Sequence, residues 1–170
     1  MAEFKEFEEA AFYGKLTTII TGLVLRKLLG DRVQPEYKTP YKFVDFFIKG
    51  VGFVEVSASS NLNTDRRRRL YNLSKLRPVY FLVPKRLVKE FNETIDLDFK
   101  FPQPQANLPP SGTHRNRITV ISLVEFLYEI EKKINVPKRR LHTIIKQLRN
   151  LNQLLKLTQS ILKEWREYFI

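Results

Sequence analysis

Two carboxylates set inside apolar β-type runs constrain this chain more tightly than any other feature. Residues 41–60 read YKFVDFFIKGVGFVEVSASS, with Asp45 and Glu55 on either side of a glycine-containing turn. A strand of Val and Phe loses solvation energy when it carries a carboxylate, so two of them on adjacent strands need a compensating interaction. Alternation along a strand puts Phe43, Asp45 and Phe47 on one face, and Phe53, Glu55 and Ser57 on one face. These faces coincide only if Asp45 lies opposite Glu55, which requires an odd-length loop near Lys49-Gly50-Val51. A two-residue Lys49-Gly50 turn would instead pair 45 with 54 and send the acids to opposite sides. A three-residue loop with Gly in the left-handed position is a common hairpin form and delivers the required register. Both acids then face one space, where they suit a hard divalent cation such as Mg²⁺.

The rest of the composition narrows the chemistry. The chain has no cysteine, which excludes disulfides, thiolate catalysis and cysteine-ligated zinc. Its only histidines, His114 and His142, are far apart in sequence, so any metal must be held by oxygen. Lys and Arg outnumber Asp and Glu by 30 to 18, a formal charge of +12. That surplus implies a polyanionic partner, above all nucleic acid, through phosphate neutralisation and counterion release. The acidic start, MAEFKEFEEA, lacks the basic-then-apolar form of a secretory signal. The apolar stretch from Ile19 to Leu29 is broken by Thr21, Gly22, Arg26 and Lys27. Nothing in the sequence spans a bilayer, and the expectation is a soluble, cytoplasmic protein.

Hydrophobic periodicity predicts a long helix from Glu3 to Leu29, ended by Gly30-Asp31, with Gly14 a place where it could break. Arg32 to Lys38 reads as an edge strand, because Pro35 cannot donate to a central ladder. The acidic hairpin follows at about 41–48 and 52–58. Asn63 or Thr64 can cap a helix running from Asp65 to Leu76. The run VYFLV at 79–83 reads as a buried strand, and a short helix is expected from Lys85 to Phe91. Ile95 to Asn116 holds four prolines and reads as a loop or linker, with a short strand at 95–99. An amphipathic helix is expected from Ile118 to Ile134. A long one follows from Lys138 to about Phe169, with a heptad seam of Leu141, Leu148, Leu155, Leu162 and Phe169 beside Ile144, Leu151, Thr158 and Trp165. That seam serves either packing onto the domain or a homodimer. The expected organisation is therefore an α/β core at 1–94, a Pro-rich linker at 95–116 and a helical hairpin extension at 117–170.

The succession helix, strand, Asp strand, turn, Glu strand, helix, apolar strand resembles the PD-(D/E)xK nuclease superfamily, which includes restriction endonucleases and archaeal Holliday-junction resolvases. The segments carrying the likeness are LLGDRVQPEYKTPYKFVDFFIKGVGFVEVSAS, RRRRLYNL and PVYFLVP, within about residues 10–92. The resemblance implies a restriction-endonuclease-like mixed β-sheet flanked by helices, with the helical C-terminal part as an extension. It implies that Asp45, Glu55 and the backbone carbonyl of Val56 hold Mg²⁺ or Mn²⁺, which activates water and offsets charge on the phosphate. Val44 stands where the family has proline, and Ser57 stands where it has the catalytic lysine. A neutral hydroxyl can orient water but supplies no charge. The arginines at 66–69 are placed to supply the cation, though arginine is a poor proton acceptor. Some members of the superfamily add a helical glutamate; Glu9 is the candidate here, with Thr17 and Thr18 nearer the expected place.

Arg66, Arg67, Arg68 and Arg69 form the densest positive block, and four cations in a first helical turn oppose the helix dipole. A phosphate partner would relieve that cost. A second basic cluster comprises Lys132, Lys133, Lys138, Arg139, Arg140, Lys146 and Arg149. Tyr37 and Tyr41, before Asp45, are candidates for stacking on a nucleotide. The expected function is DNA binding with Mg²⁺-dependent phosphodiester hydrolysis. In it Asp45 and Glu55 hold the metal, Ser57 orients water, and Arg66 to Arg69 with Lys138, Arg139 and Arg140 hold the backbone. The alternative is a catalytically inactive nuclease-like module that binds nucleic acid or dimerises as a scaffold.

Overall fold

A computed structural model of the protein describes residues 2–101, 115–151 and 153, with side chains from residue 14 onward. Helix α1 spans Ala2–Leu29 without a break at Gly14, and a 3₁₀ turn at Gly30–Arg32 leads into the sheet. Five strands follow in sequence order across that sheet: β1 (Val33–Lys38), β2 (Phe43–Ile48), β3 (Gly52–Val56), β4 (Val79–Leu82) and β5 (Ile118–Ile121). The first three are antiparallel, and β3, β4 and β5 run parallel, so the sheet is mixed. Each parallel step needs a helical crossover. Helix α2 (Thr64–Leu76) makes the first, and α3 (Val88–Lys100) lies in the second. Helix α4 (Leu123–Lys133) and a further helix, α5 (138–151), complete the fold.

Alternation along the strands divides the core into two layers. Val54, Tyr80, Leu82 and Ile121 face α1, α4 and α5, meeting Leu25, Phe126, Ile130, Leu141 and Ile144. Phe53, Val79, Phe81, Ile118 and Val120 face α2 and α3, meeting Leu70, Tyr71, Phe91 and Ile95. All four residues of β4 are buried, as a strand covered on both faces must be. Pro35 sits on β1 at the sheet edge, where its missing N–H costs no ladder bond.

The hairpin has the register that brings its acids together. Phe46 pairs with Val54, Phe47 with Phe53 and Ile48 with Gly52, which leaves Lys49-Gly50-Val51 as the loop. Gly50 adopts φ 86°, and the Val51 N–H donates to the Ile48 carbonyl at 3.0 Å. Gly52 is held at φ 138°, and a Cβ there would collide with the carbonyl of Pro78, which accepts the Phe53 N–H at 2.9 Å. Only glycine meets both conditions.

Three expectations are corrected. Residues 118–121 form β5, the edge strand beside β4, and not the start of a helix; the helix begins at Leu123, capped by Ser122. Residues 95–99 continue α3 and are not a strand, because Phe91 and Ile95 bury one helical face while Leu97 is exposed. A boundary at 94 therefore falls within a helix. The region from 117 onward is not purely a helical hairpin set apart from the core: it supplies a strand, and α4 and α5 pack on the face shared with α1. Leu141 and Ile144 of the heptad seam are consumed in that packing, with Leu148 partly buried against it. The seam from Leu155 to Phe169, including Leu162, Thr158 and Trp165, lies outside the described residues. Among the described residues, no helix is long and apolar enough to cross a membrane.

Candidate functional site

The acids sit where β2 parts from both neighbours. On the β1 side the pairing runs through Pro35 with Phe46 and resumes at Tyr37 with Val44, omitting the level of Glu36 and Asp45. Glu36 has φ 49°, the one non-glycine positive φ among the described residues. Such a backbone costs about 1–3 kcal/mol and marks a local reversal of the strand. The reversal is visible in the packing: Phe46 and Ile48 belong to the α1 layer, whereas Val44 belongs to the α2 layer. On the β3 side the ladder ends at Phe46 with Val54. Asp45 spans the opening, its Oδ2 accepting the Val56 N–H at 2.8 Å in place of a backbone carbonyl.

Glu55 shares the opening. It emerges at the carboxyl end of β3, and its Oε1 accepts from Arg69 Nη2 at 3.0 Å. Arg69 also donates to the Phe43 carbonyl. Burial raises the pKa of Asp45, although the Val56 N–H and Arg69 oppose the shift. Glu55 is pushed up to about 7, chiefly by burial and next by the charge of Asp45, with Arg69 acting the other way. Both acids are thus harder to ionise than free carboxylates, and burial is the chief cause in each.

Both line a cleft of about 1060 Å³ bounded by α1 on one side and the start of α2 on the other. Thr18 of α1 lines it, and Glu36 stands at its rim side of the sheet; the side chain of Glu9 lies outside the described residues. Ser57 lies in the same cleft and is 6% exposed. Its Oγ accepts from Arg66 Nη1 at 2.7 Å, and Arg66 also reaches the Asn61 carbonyl at 3.1 Å. The helix start is fixed by Asn63, whose Oδ1 accepts the Arg66 N–H at 2.9 Å. A guanidinium therefore stands at the hydroxyl of Ser57, beside the two acids.

The four arginines divide by role. Arg66 and Arg69 face the cleft. Arg67 turns away: its Nε pairs with Asp98 Oδ2 at 2.6 Å, and its Nη1 donates to the Leu62 carbonyl at 2.8 Å. The Tyr71 hydroxyl donates to the same Asp98 oxygen, and burial first and this bond second raise the Tyr71 pKa. The sequence expectation of four phosphate contacts is thus corrected for Arg67, which holds α2 to α3. Arg68 pairs with Asp65 at 3.4 Å and does not line the acid cleft. Asp98→Ala should cost about 3 kcal/mol in urea unfolding, because it strands a mostly buried cation and a buried hydroxyl together. A loss below about 1 kcal/mol would show that the network contributes little.

The second basic cluster is dispersed. Lys133 lies over the Tyr80 ring at 5.0 Å and donates to its hydroxyl, and Lys132 pairs with Glu129 at 3.3 Å. Lys138, Arg139, Arg140 and Lys146 are exposed on α5, and none lines the cleft of Asp45 and Glu55. Arg149 reaches an adjoining cleft of about 540 Å³ that shares Val56 and Ser57 with it. Tyr37 packs against Phe47 and Phe53, with ring centroids 4.7 and 6.0 Å away, and is not available for stacking. His114 lies outside the described residues. His142 is exposed on α5.

The fold and site define an α/β protein with a five-stranded mixed sheet flanked by helices and a cleft holding two acids and two arginines. Compared with known protein families, curated proteins and solved structures, the chain matches none.

Proposed function

We propose that the protein binds nucleic acid and hydrolyses a phosphodiester with the help of Mg²⁺ or Mn²⁺, as a PD-(D/E)xK-type nuclease. The observation that carries this reading is the convergence of Asp45 and Glu55 at the parting of β2 and β3, next to Ser57 and Arg66. The order α1, β1, β2, β3, α2, β4 supports it, because it is the order on which the resemblance rests.

The donor set fits a divalent ion. Among the described residues no cluster of three acids or histidines forms, but Mg²⁺ commonly takes one or two carboxylates and completes its shell with water and substrate phosphate. Asp45, Glu55 and the Val56 carbonyl would hold it, and when bound it would lower the pKa of water and neutralise charge on the phosphate. The protein's own residues do the remainder. Val56 N–H fixes one oxygen of Asp45, and Arg69 fixes one of Glu55, so each carboxylate presents its other oxygen in a set direction. Ser57 orients water, and Arg66 places a permanent positive charge beside that hydroxyl, where the phosphate gains charge in the transition state. The formal charge of +12 draws the polyanion to the surface.

One observation favours a second reading. Arg69 already neutralises Glu55 internally, as it would in a module that binds nucleic acid without cutting it. Nicking of supercoiled plasmid in Mg²⁺ or Mn²⁺ separates the two. Wild type should nick, and Asp45→Ala and Glu55→Ala should each lose at least a thousandfold in rate. Cleavage that survives both substitutions removes this site. Absence of cleavage with salt-sensitive binding intact leaves the non-cutting module.

A further inference from the structure

A second concavity, of about 560 Å³, is lined by Arg69 but not by Asp45. It shares Glu55, Val56, Arg66 and Arg69 with the acid cleft, so whatever fills it lies next to the reacting bond. One wall is the β1–β2 turn, where Thr39 Oγ1 donates to the Lys42 carbonyl at 2.6 Å and accepts the N–H groups of Tyr41 and Lys42 at 3.2 Å. That stitching gives the tip a fixed shape and presents Tyr41. The opposite wall is the first turns of α2, with Arg68 and Asn72. Asn72 is half-buried, and its side-chain amide makes no hydrogen bond among the described residues.

Two large aromatic side chains are exposed at this end of β2, Tyr41 at 41% and Phe43 at 60%. Tyr41 lines the concavity, so its exposed ring is offered to whatever fills it. A flat ring, cations for the backbone and an amide able to bond a base edge make a receptor for an unpaired nucleobase. A base stacked within a continuous duplex presents no face to such a ring.

We propose that this concavity takes a single unpaired base next to the cleaved phosphodiester, with Tyr41 as its stacking platform, so that the substrate class is single-stranded or branched nucleic acid. The proposal rests on the nuclease reading for its location and adds the substrate's form. Its test is equilibrium binding by fluorescence anisotropy in Ca²⁺, with a labelled single-stranded 20-mer and a blunt duplex of the same sequence, alongside nicking of supercoiled plasmid, whose torsional strain exposes unpaired bases. Wild type should favour the single strand. Tyr41→Ala should weaken single-strand binding about tenfold and leave duplex binding within twofold, while Tyr41→Phe retains wild-type affinity. Tyr41 is a turn residue with an exposed ring, so thermal melting should show the variant folded. Equal losses on strand and duplex, or no loss on either, overturn the base subsite while nicking leaves the hydrolytic reading standing. Failure of wild type to bind either probe overturns both. RNA in place of DNA, used as competitor, identifies the sugar preferred and would still support the subsite if Tyr41→Ala weakened it alike.

Discussion

Glu55→Gln is expected to abolish divalent-ion-dependent nicking by at least a thousandfold and, in EDTA at pH 8, to make the protein more stable than wild type. The two effects have one cause. The folded protein holds the Glu55 pKa at about 7, against an ordinary value of 4.5, through burial and the charge of Asp45. A carboxyl group raised in the folded state contributes nothing to stability below its unfolded pKa, where both states are protonated. As pH rises from 4.5 to 7 the unfolded chain releases the proton first, and folding stability falls. Above 7 the loss is complete, about 3 kcal/mol at one pKa unit per 1.36 kcal/mol. Glutamine removes this penalty but also the charge that Arg69 pairs with, so the net gain at pH 8 is about 1 kcal/mol or more. The wild-type and variant stabilities should converge near pH 4. Asp45, raised in the same direction, keeps part of the slope in the variant. Adding Mg²⁺ should raise the melting temperature of wild type above pH 7 and leave the variant unmoved, since an ion that binds only the folded state stabilises it by mass action. Urea and thermal unfolding from pH 4 to 8, with and without Mg²⁺, measure all three. A variant less stable than wild type at pH 8 would show that the Arg69 pair outweighs the repulsion, and that the acids are not poised for a cation.

The hairpin register was readable because Gly50 marks a three-residue loop, which puts Asp45 level with Glu55. What parity could not show is how Asp45 and Glu55 meet. The ladder breaks at Asp45, and the break depends on the positive φ of Glu36, a residue type that gives no sign of one. β5 was readable in principle: Ile118-Thr119-Val120-Ile121 is a β-branched run, and Ser122 with Glu125 three positions on is a helix-start signature, which the structure uses. Apolar spacing continued smoothly across that junction and hid it. At 95–99 the sequence IDLDF alternates like a strand, yet Phe91 and Ile95 four apart carry a helical face. Only tertiary burial arbitrates between the two periods, and it leaves Leu97 at 57% exposure. The division among the four arginines was not legible, because Asp98, which claims Arg67, lies 31 residues away on a helix that the sequence did not place.

Arg66→Ala is expected to reduce kcat for nicking by about a hundredfold to a thousandfold with little change in KM, the range for removing one preorganised donor at developing charge. The geometry sets this apart from a backbone grip. Arg66 is held at Ser57 Oγ and at the Asn61 carbonyl, inside the cleft of both acids, so its charge is already in place before substrate arrives. A residue that only gripped phosphate would raise KM, leave kcat and lower the salt dependence of binding by one ion's worth. The same geometry specifies a rescue. In the Arg66→Ala background, Ser57→Lys returns a cation to the cleft from the strand in place of the helix, and nicking should recover at least tenfold. In the wild-type background the same substitution sets an ammonium against a guanidinium where a 2.7 Å hydrogen bond now stands, and the rate should fall. Arg66→Lys, too short to make both bonds that Arg66 Nη1 makes to Ser57 Oγ and the Asn61 carbonyl, should lie between wild type and alanine. Loss through KM alone, or no recovery by lysine at 57 in a variant that melts normally, would return Arg66 to the surface charge that draws in nucleic acid.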